Sequence, residues 1–235
     1  MDTSLDLTRI GTALGQPARS AIALELLDGR ARTATELADV AGVGRATASS
    51  HLALLLDGGL LRVERQGRHR YYRLASPDVA ETLETLLVLT DAQRQPTRRF
   101  GPDRNELRRA RMCYDHVAGA LGVGLTQALV GAGALVEDDA NFRLTPHGEA
   151  RLTSFGIDVE EARRKRRYFA RTCLDWSERQ PHLAGALGAA LADRLFALGW
   201  IEREPEGRAL HITAAGVTGL RQGFGLDLQA VPTEG

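Results

Sequence analysis

The stretch from residue 34 to residue 74 constrains the fold most, because two helical patterns, a glycine turn and a strand pair follow one another with almost no intervening sequence. The first helical pattern ends at residues 42–44, Gly-Val-Gly, which is turn chemistry. In the second pattern Ala48, Leu52 and Leu55 recur at helical spacing. We therefore predict two short helices joined by a tight turn, with these three side chains buried.

The opposite face of the second helix carries small and hydrogen-bonding side chains between residues 45 and 51. A helix that enters the major groove of DNA needs such a face, because bulk would block its approach while Arg, Thr and Ser reach base edges or phosphates. The predicted DNA contacts on this helix are Arg45, Thr47, Ser49, Ser50 and His51.

A hairpin with a cationic tip is predicted after this helix. An Asp-Gly-Gly sequence ends the helix, since glycine permits a left-handed turn. Strand patterns at residues 60–64 and 71–74 flank a tip at residues 65–70. Between residues 62 and 73 five arginines stand against one acid, Glu64, which favours phosphate contact beside a groove. The predicted contacts on the hairpin are Arg65, Arg68, His69 and Arg70.

The segments GVGRATASSHLALLLDGGLL and VERQGRHRYYRL resemble the winged helix-turn-helix of ArsR/SmtB-type bacterial transcriptional regulators. The segment LGQPARSAIALELL, residues 14–27, resembles the first helix of that domain, so the resemblance covers residues 7–89. It implies a two-fold dimer built from the helices near residues 5–14 and 76–90, although packing within one subunit is the alternative. One departure is Gly44, which stands where the family often has serine and offers no side-chain cap.

The resemblance also implies positions for the family's metal ligands. A cysteine-bearing site would lie near residues 36–44, which contain no cysteine. A carboxylate and histidine pair would lie on the helix after the hairpin, yet residues 77–90 contain acids and no histidine. A different effector, or none, is therefore expected.

The remainder of the chain contains an internal sequence repeat. HVAGALGVGLTQALVGAGALVE begins at His116, and HLAGALGAALADRLFALGWIER begins at His182. The shared order of dissimilar residue types predicts two repeats, at about residues 108–158 and 168–228, each with two helices, a short hairpin and a closing helix. These hairpins lack an arginine cluster, which favours a regulatory or dimerising role. The glycine-rich helices would serve close packing or leave room for a ligand.

The overall prediction is a mainly α chain with small β-hairpins, an α+β fold. Residues 1–90 are the predicted winged helix-turn-helix and dimerisation domain, residues 91–105 the linker, and residues 106–235 the duplicated regulatory domain. The second domain is interpreted as two winged-helix-like pseudo-repeats. A basic run at 163–167 follows acids at 158–161, which predicts a helix with i,i+4 ion pairs on a solvated face, or extra phosphate contact.

Cysteine, aspartate and histidine recur in both repeats. The candidate sensor or ligand residues are Cys113, Asp115, His116, Cys173, Asp175 and His182. On a helix Cys113 and His116 would share a face and could bind one metal, or the imidazole could lower the pKa of the thiol. Both copies together could form a Cys2His2 site for zinc or a related soft ion. His182 stands nine residues after Cys173, so this spacing predicts that the geometry is not repeated.

Alternatives for these residues stay open at this point. The thiols could be small buried hydrophobes, redox sensors or metal ligands. A thiol-dependent enzyme with Cys113 as nucleophile and His116 as base is a competing hypothesis. Against it, the chain has no Gly-x-Ser-x-Gly elbow, phosphate loop or dinucleotide fingerprint. A winged helix used for protein assembly is a third interpretation.

Composition limits the remaining classes. The 235 residues carry 30 basic and 30 acidic side chains, so basic character is local rather than general. Two cysteines provide no disulfide framework, and neither a membrane-spanning run nor a secretory pattern is evident, so a cytoplasmic protein is expected. We predict a non-enzymatic homodimeric repressor whose partners are an operator duplex, a second copy and a small-molecule effector, without a membrane. No cofactor is expected, with zinc or another soft metal as the alternative.

Overall fold

A computed structural model describes residues 3–67, 69–92, 105–139, 141–205 and 207–227 of the chain. The chain divides into two compact units, Met1–Leu83 and Glu84–Gly235. The predicted linker at 91–105 falls mostly on residues 93–104, which lie outside the described residues, and the predicted domain boundaries stay predictions. Within the described ranges, no helix combines the length and the apolar character that crossing a membrane requires.

The first unit is built from helices and one small antiparallel sheet. Its elements are α1 (Thr3–Leu14), α2 (Pro17–Glu25), a 3-10 turn (Leu26–Asp28), β1 (Arg32–Thr33), α3 (Ala34–Ala41), α4 (Arg45–Asp57), β2 (Leu61–Gln66), β3 (His69–Leu74) and α5 (Pro77–Ala92), whose end belongs to the second unit. The strand order is β1-β3-β2, with Arg32 opposite Tyr72 and Leu61 opposite Leu74. The arrangement is a helix-turn-helix followed by a hairpin wing.

Local signals at the helix ends explain where α3 and α4 begin and stop. Thr33 accepts a hydrogen bond from the Glu36 N–H, and Glu36 accepts one from the Thr33 N–H, which forms a capping box at the start of α3. Gly42 ends α3 in the left-handed region, with φ of 63°. Gly44 begins α4 without a side-chain cap, which confirms the sequence prediction.

The predicted apolar stripe of α4 is confirmed. Ala48, Leu52 and Leu55 are all buried against the rest of the first unit. The predicted start of α5 is confirmed as well, because Pro77 is its first residue. Ser76 caps the helix, since its Oγ atom accepts a hydrogen bond from the Val79 N–H at 3.3 Å. These local signals orient α4 with one face inward and the other face outward.

The second unit alternates short hairpins and helices. Its elements are α6 (Asn105–Arg109), β4 (Arg111–Cys113), β5 (His116–Ala118), α7 (Gly119–Gly131), β6 (Leu135–Asp138), β7 (Asn141–Leu144), α8 (Pro146–Ser154), α9 (Val159–Arg164), β8 (Arg171–Leu174), β9 (Pro181–Ala184), α10 (Gly185–Ala197), β10 (Ile201–Arg203), β11 (Leu210–Ile212) and α11 (Ala214–Phe224). One sheet has the order β6-β7-β8-β9, and β4-β5 and β10-β11 are separate pairs.

Hairpin, helix, hairpin and helix occur in the same order in β4 to α8 and in β8 to α11. The expectation of two successive helices at the start of each repeat is wrong, because a hairpin precedes the long helix in both places. Matching details include Thr145, which caps α8 through the Gly148 N–H, and Thr213, which caps α11 through the Gly216 N–H, both at 3.0 Å. The winged-helix likeness of each stretch stays an interpretation.

The basic run differs from its prediction. Helix α9 ends at Arg164, so Lys165 lies outside it and cannot form the expected i,i+4 pair with Glu161. The acids instead pair at i,i+3 spacing, with Arg164 Nη2 3.0 Å from Glu161 Oε2. Asp158 caps the first turn of this helix, and the backbone becomes extended at residue 165.

Glycines in α7 and α10 allow the long helices to pack closely on neighbouring hairpins. A Cβ at Gly122 of α7 would lie 2.2 Å from the Val117 carbonyl oxygen, and a Cβ at Gly188 of α10 would lie 2.5 Å from the Leu183 carbonyl oxygen. Each position therefore accepts no side chain without a backbone shift. Close backbone packing is the reason for glycine at both positions.

Candidate nucleic-acid interface and a buried cysteine-histidine cluster

Helix α4 presents its predicted contact residues away from the core. The residues Arg45, Thr47, Ser49 and Ser50 are exposed. Within the described part of the chain, no hydrogen bond or ion pair involves the side chains of Arg45, Thr47 and Ser49. Ser50 Oγ donates to the Ala46 carbonyl oxygen at 3.3 Å. Charged and hydroxyl groups are therefore free on the face opposite the buried stripe, as contact with a polar partner requires.

His51 has a different environment from its neighbours on α4. It is half-buried, and its Nδ1 atom lies 3.4 Å from Arg19 Nη1. The Arg19 guanidinium is itself held by the Thr12 and Ala13 carbonyl oxygens, at 2.7 and 2.6 Å. The α2 arginine therefore fixes the histidine ring at the edge of the α4 face.

The wing places like charges opposite each other. Arg65 on β2 and Arg70 on β3 are direct cross-strand partners, and both are exposed. Neither side chain has an ion pair or hydrogen bond to another described residue, although like charges in this arrangement destabilise a hairpin. His69 is exposed beside Tyr71, with ring centroids 6.3 Å apart. The predicted contact Arg68 lies outside the described residues.

A second arginine pair on the wing is partly neutralised by one carboxylate. Arg62 and Arg73 are also cross-strand partners, but Glu64 Oε1 lies 3.8 Å from Arg62 Nε and 3.5 Å from Arg73 Nε. The uncompensated charge on the described wing is therefore concentrated toward the tip. Phosphates flanking a groove are one ligand that such charge suits.

Four buried side chains meet in the core of the second unit. The ligand atoms of Cys113, His116, Cys173 and His182 all lie within 4.8 Å of one another. The two Sγ atoms are 4.0 Å apart, and the two imidazole centroids are 5.1 Å apart. Thiols and imidazoles from both repeats are thus brought together, as the combined-site hypothesis requires.

The expected helical placement of Cys113 and His116 is wrong. They are cross-strand partners on β4 and β5, because Tyr114, with φ of 60°, reverses the chain between them. Cys173 and His182 are likewise cross-strand partners on β8 and β9. The geometry is therefore repeated, contrary to the expectation from spacing.

The longer second loop preserves the same register. The Asp175 N–H donates to the Gln180 carbonyl oxygen at 2.9 Å, which closes the loop between β8 and β9. Asp175 Oδ1 also accepts hydrogen bonds from the N–H groups of Ser177 and Glu178 inside that loop. The extra residues therefore lie within this hydrogen-bonded loop, and the pairing of β8 with β9 keeps Cys173 opposite His182.

Each imidazole has a carboxylate beside its Nδ1 atom. Asp115 Oδ1 lies 3.4 Å from His116 Nδ1, and Asp175 Oδ2 lies 3.8 Å from His182 Nδ1. Arginines hold both carboxylates: Arg167 pairs with Asp115, and Arg111 donates to Asp175 at 2.9 Å. Arg167 belongs to the basic run at 163–167 that was noted in the sequence, but neither arginine was predicted as the partner of these carboxylates. For Arg111 the only signal was its match with Arg171 in the second repeat.

The helix-turn-helix has counterparts among known proteins. A family model described as a helix-turn-helix domain matches residues 14–64. An HTH-type transcriptional regulator of Bacillus subtilis strain 168, YdfF, is 46% identical over 211 residues, which are 90% of this chain and 93% of that protein. The chain belongs to the HTH-type transcriptional regulators.

Other similarities of this HTH-type regulator are shorter. CmtR of Mycobacterium tuberculosis, also an HTH-type transcriptional regulator, is 37% identical over 81 residues, which are 34% of this chain and 68% of CmtR. Among solved structures, the homodimeric winged helix-turn-helix DNA-binding domain of Mycobacterium bovis Mb0332, a possible ArsR-family regulator, is 33% identical and covers 40% of this chain and 85% of that fragment, with a TM-score of 0.37.

Electrostatics in the cluster of this HTH-type regulator hold the Cys113 thiol protonated. A hydrogen bond with Cys173, followed by burial, raises the pKa of Cys113 well above its ordinary value. Burial acts against the charged form of Asp175, but Arg111 and nearby backbone N–H groups lower the pKa of that carboxyl. A buried, protonated thiol is a poor nucleophile.

The two imidazoles of the regulator titrate in opposite directions. Burial acts against protonated His116, but the ionised Asp115 carboxylate beside it stabilises the charged ring and raises the pKa of His116. Burial, followed by the charge of His116, lowers the pKa of His182 well below its ordinary value. Two imidazolium ions at this separation would repel each other in a medium of low dielectric.

Proposed function

We propose that this regulator is a homodimeric repressor that recognises a duplex operator by inserting α4 into the major groove. The observation that carries the proposal is the free polar face of α4, where Arg45, Thr47 and Ser49 are exposed and have no partner among the described residues. An arginine can read guanine by two hydrogen bonds, and hydroxyl groups serve either bases or phosphates. Cytoplasmic location follows from access to the operator.

The wing supplies contacts beside the groove in this proposal. Arg65 and Arg70 repel each other in the free protein, and a phosphate between them would relieve that repulsion. Such contacts add affinity without reading sequence, whereas contacts from α4 discriminate between bases. The two elements therefore have separable effects on affinity and specificity.

Dimerisation is proposed through apolar side chains left exposed on the terminal helices of the winged domain. Leu7 on α1 is 70% exposed, and Leu86 on α5 is 40% exposed. Ala13 and Leu83 on the same helices are buried, so each helix has one apolar face already packed and another uncovered. A two-fold dimer would place two copies of α4 about 34 Å apart, one turn of DNA.

An enzyme based on Cys113 is not favoured. The thiol is 1% exposed, and its raised pKa keeps it protonated near neutral pH. A thiol nucleophile needs the thiolate form and access to substrate. We instead assign the second unit to regulation by a small-molecule effector or to extension of the dimer.

Selection from a random duplex library tests the proposed function. The full chain is incubated with the library, bound duplexes are enriched, and affinities for the winner and a shuffled duplex are compared across a salt titration. We expect the selected duplex to bind at least about 10³-fold more tightly, with both affinities falling as salt rises. Equal affinity for the two duplexes at every salt concentration would overturn sequence-specific recognition.

A further inference from the structure

We propose that Cys113, His116, Cys173 and His182 bind one divalent ion of the zinc class at a closed tetrahedral site inside the second unit. Two hairpins, one from each repeat, contribute a thiol and an imidazole each. This inference does not depend on DNA binding, because all four residues belong to the second unit.

The observed spacing is close to what a tetrahedral ion requires. Zinc lies about 2.3 Å from sulfur and about 2.1 Å from nitrogen, so neighbouring ligand atoms in a tetrahedron are roughly 3.4 to 3.8 Å apart. The Sγ atoms of Cys113 and Cys173 are 4.0 Å apart, and all four ligand atoms fall within 4.8 Å of one another. Shifts of about 1 Å or less would therefore close the site around an ion.

Buried ring nitrogens without a hydrogen-bond partner favour a bound ion at this position. Among the described residues, His116 Nε2 and both ring nitrogens of His182 are buried and have no hydrogen-bond partner. Buried polar atoms are expensive to leave unsatisfied, and such exceptions require an explanation. A metal ion would accept the lone pair of one nitrogen from each ring.

The surroundings resemble the outer shell of a metal site. The Nδ1 atoms of His116 and His182 face Asp115 and Asp175, so Nε2 is the atom free to bind in each ring. A carboxylate on the far nitrogen orients a ligating imidazole and raises its basicity. An arginine holds each carboxylate in turn, so both repeats have the same sequence of contacts from arginine to aspartate to histidine.

The donor set selects the class of ion. Two thiolates and two imidazoles suit zinc and related borderline-soft ions, whereas magnesium and calcium require oxygen ligands. Four protein ligands leave no open position, which is typical of a structural or sensing site and not of a catalytic one. Binding releases to solvent the two thiol protons and the proton of the His116 imidazolium, as the Cys–metal and His–metal bonds form.

A disulfide is the competing product of the same cysteines. The Sγ atoms would have to approach from 4.0 Å to about 2.0 Å, and the bond would leave the Nε2 atoms of both imidazoles without a partner. A metal satisfies all four side chains at once. The two outcomes differ in mass, in metal content and in visible spectrum.

Cobalt substitution of the full chain tests the site. Protein purified under reductant is stripped with a chelator, dialysed anaerobically and titrated with Co²⁺, then with Zn²⁺. We expect one Co²⁺ per chain, a thiolate-to-cobalt charge-transfer band, the intense visible bands of tetrahedral cobalt, and loss of both on addition of Zn²⁺. A wild-type spectrum without a charge-transfer band, or an intact Cys113–Cys173 disulfide after this preparation, would overturn the proposal.

Substitutions in each hairpin assign the ligands. We expect Cys173→Ser to weaken or abolish the charge-transfer band and His116→Gln to alter the tetrahedral bands, whereas His147→Gln, on the exposed surface of α8, leaves the spectrum unchanged. Asp115→Asn should retain the spectrum but lower affinity by about 10- to 100-fold, since it leaves all four ligands in place and removes the carboxylate that orients His116. Unchanged spectra for both ligand variants, or loss of binding in His147→Gln, would contradict the assignment.

Discussion

The Sγ atoms of Cys113 and Cys173 lie 4.0 Å apart in the core of the second unit, although 60 residues separate them in the chain. The helix that follows each hairpin packs against the hairpin of the other repeat, α7 against β9 and α10 against β5. A Cβ at Gly122 of α7 would lie 3.7 Å from the His182 Cβ, and one at Gly188 of α10 would lie 3.3 Å from the His116 Cβ. Each helix thus packs against the histidine contributed by the other repeat.

Gly122→Ala should destabilise the second unit by about 1–3 kcal/mol, because the added methyl meets a backbone carbonyl that cannot move freely. Gly131→Ala in the same helix is the matched control, since its new Cβ would meet nothing within 4 Å. We expect that control to be neutral or to stabilise by up to about 1 kcal/mol. Urea unfolding followed by tryptophan fluorescence measures both, because Trp176 and Trp200 lie in this unit.

Equal stabilities for Gly122→Ala and Gly131→Ala would show that α7 can move away from its hairpin. The same test applies to Gly188, where the carbonyl oxygen of Leu183 takes the corresponding place. A difference confined to Gly122 would mean that the close packing is not shared by the two stretches.

Arg111→Met should destabilise the second unit by about 3–5 kcal/mol, because it leaves the Asp175 carboxylate buried without its cationic partner. Both side chains of this pair are fully buried. Arg164→Met breaks an exposed pair with Glu161 and is the control, for which little change in stability is expected. Thermal and urea unfolding of both variants provides the comparison. Equal decreases in the free energy of unfolding would refute the claim that the buried pair contributes more to stability than the exposed pair.

The fold of the first unit could be anticipated because its determinants are local. The stripe of Ala48, Leu52 and Leu55 has helical spacing, and the glycine at position 44 and Ser76 are readable end signals. The capping box at Thr33 was equally local and was missed. Membership of the HTH-type regulators rests instead on the similarity to YdfF, which extends over 211 residues of the chain.

The sequence predicted which residues form the cysteine-histidine cluster, but not the strands that carry them or their pairing. Strands as short as Arg111–Cys113 and His116–Ala118 show no periodicity, so a spacing of three residues was interpreted as helical. The loop after Asp175 lengthened the second spacing without changing the register. Long-range pairing brought the four side chains together, and no local pattern reports such pairing.

Arg45→Ala is expected to reduce discrimination between selected and shuffled duplexes by about 1–3 kcal/mol, since a base contact would be lost from the α4 face. Arg143→Ala, an exposed arginine on β7, controls for the general loss of one positive charge. Fluorescence anisotropy with both duplexes gives the two ratios. A uniform loss of affinity in Arg45→Ala, with discrimination unchanged, would move this residue from base contact to phosphate contact.

Arg70→Ala should weaken binding to selected and shuffled duplexes alike and reduce the salt slope by about 1. Arg73→Ala on the same strand is the control, because Glu64 already neutralises part of its charge, and its effect on the slope should be smaller. Salt titrations of both variants measure the difference. If Arg70→Ala instead changed base preference and left the slope intact, the wing would be reading sequence.

The proposed entry of α4 into the major groove is tested most directly by replacing purines of the selected duplex one at a time with their 7-deaza analogues. Each replacement removes the major-groove N7 acceptor and leaves base pairing intact. The proposed dimer predicts loss of affinity at two clusters of purines whose centres lie about 10 base pairs apart. Affinity that no replacement lowers would contradict major-groove recognition, and a single cluster would contradict the two-fold dimer.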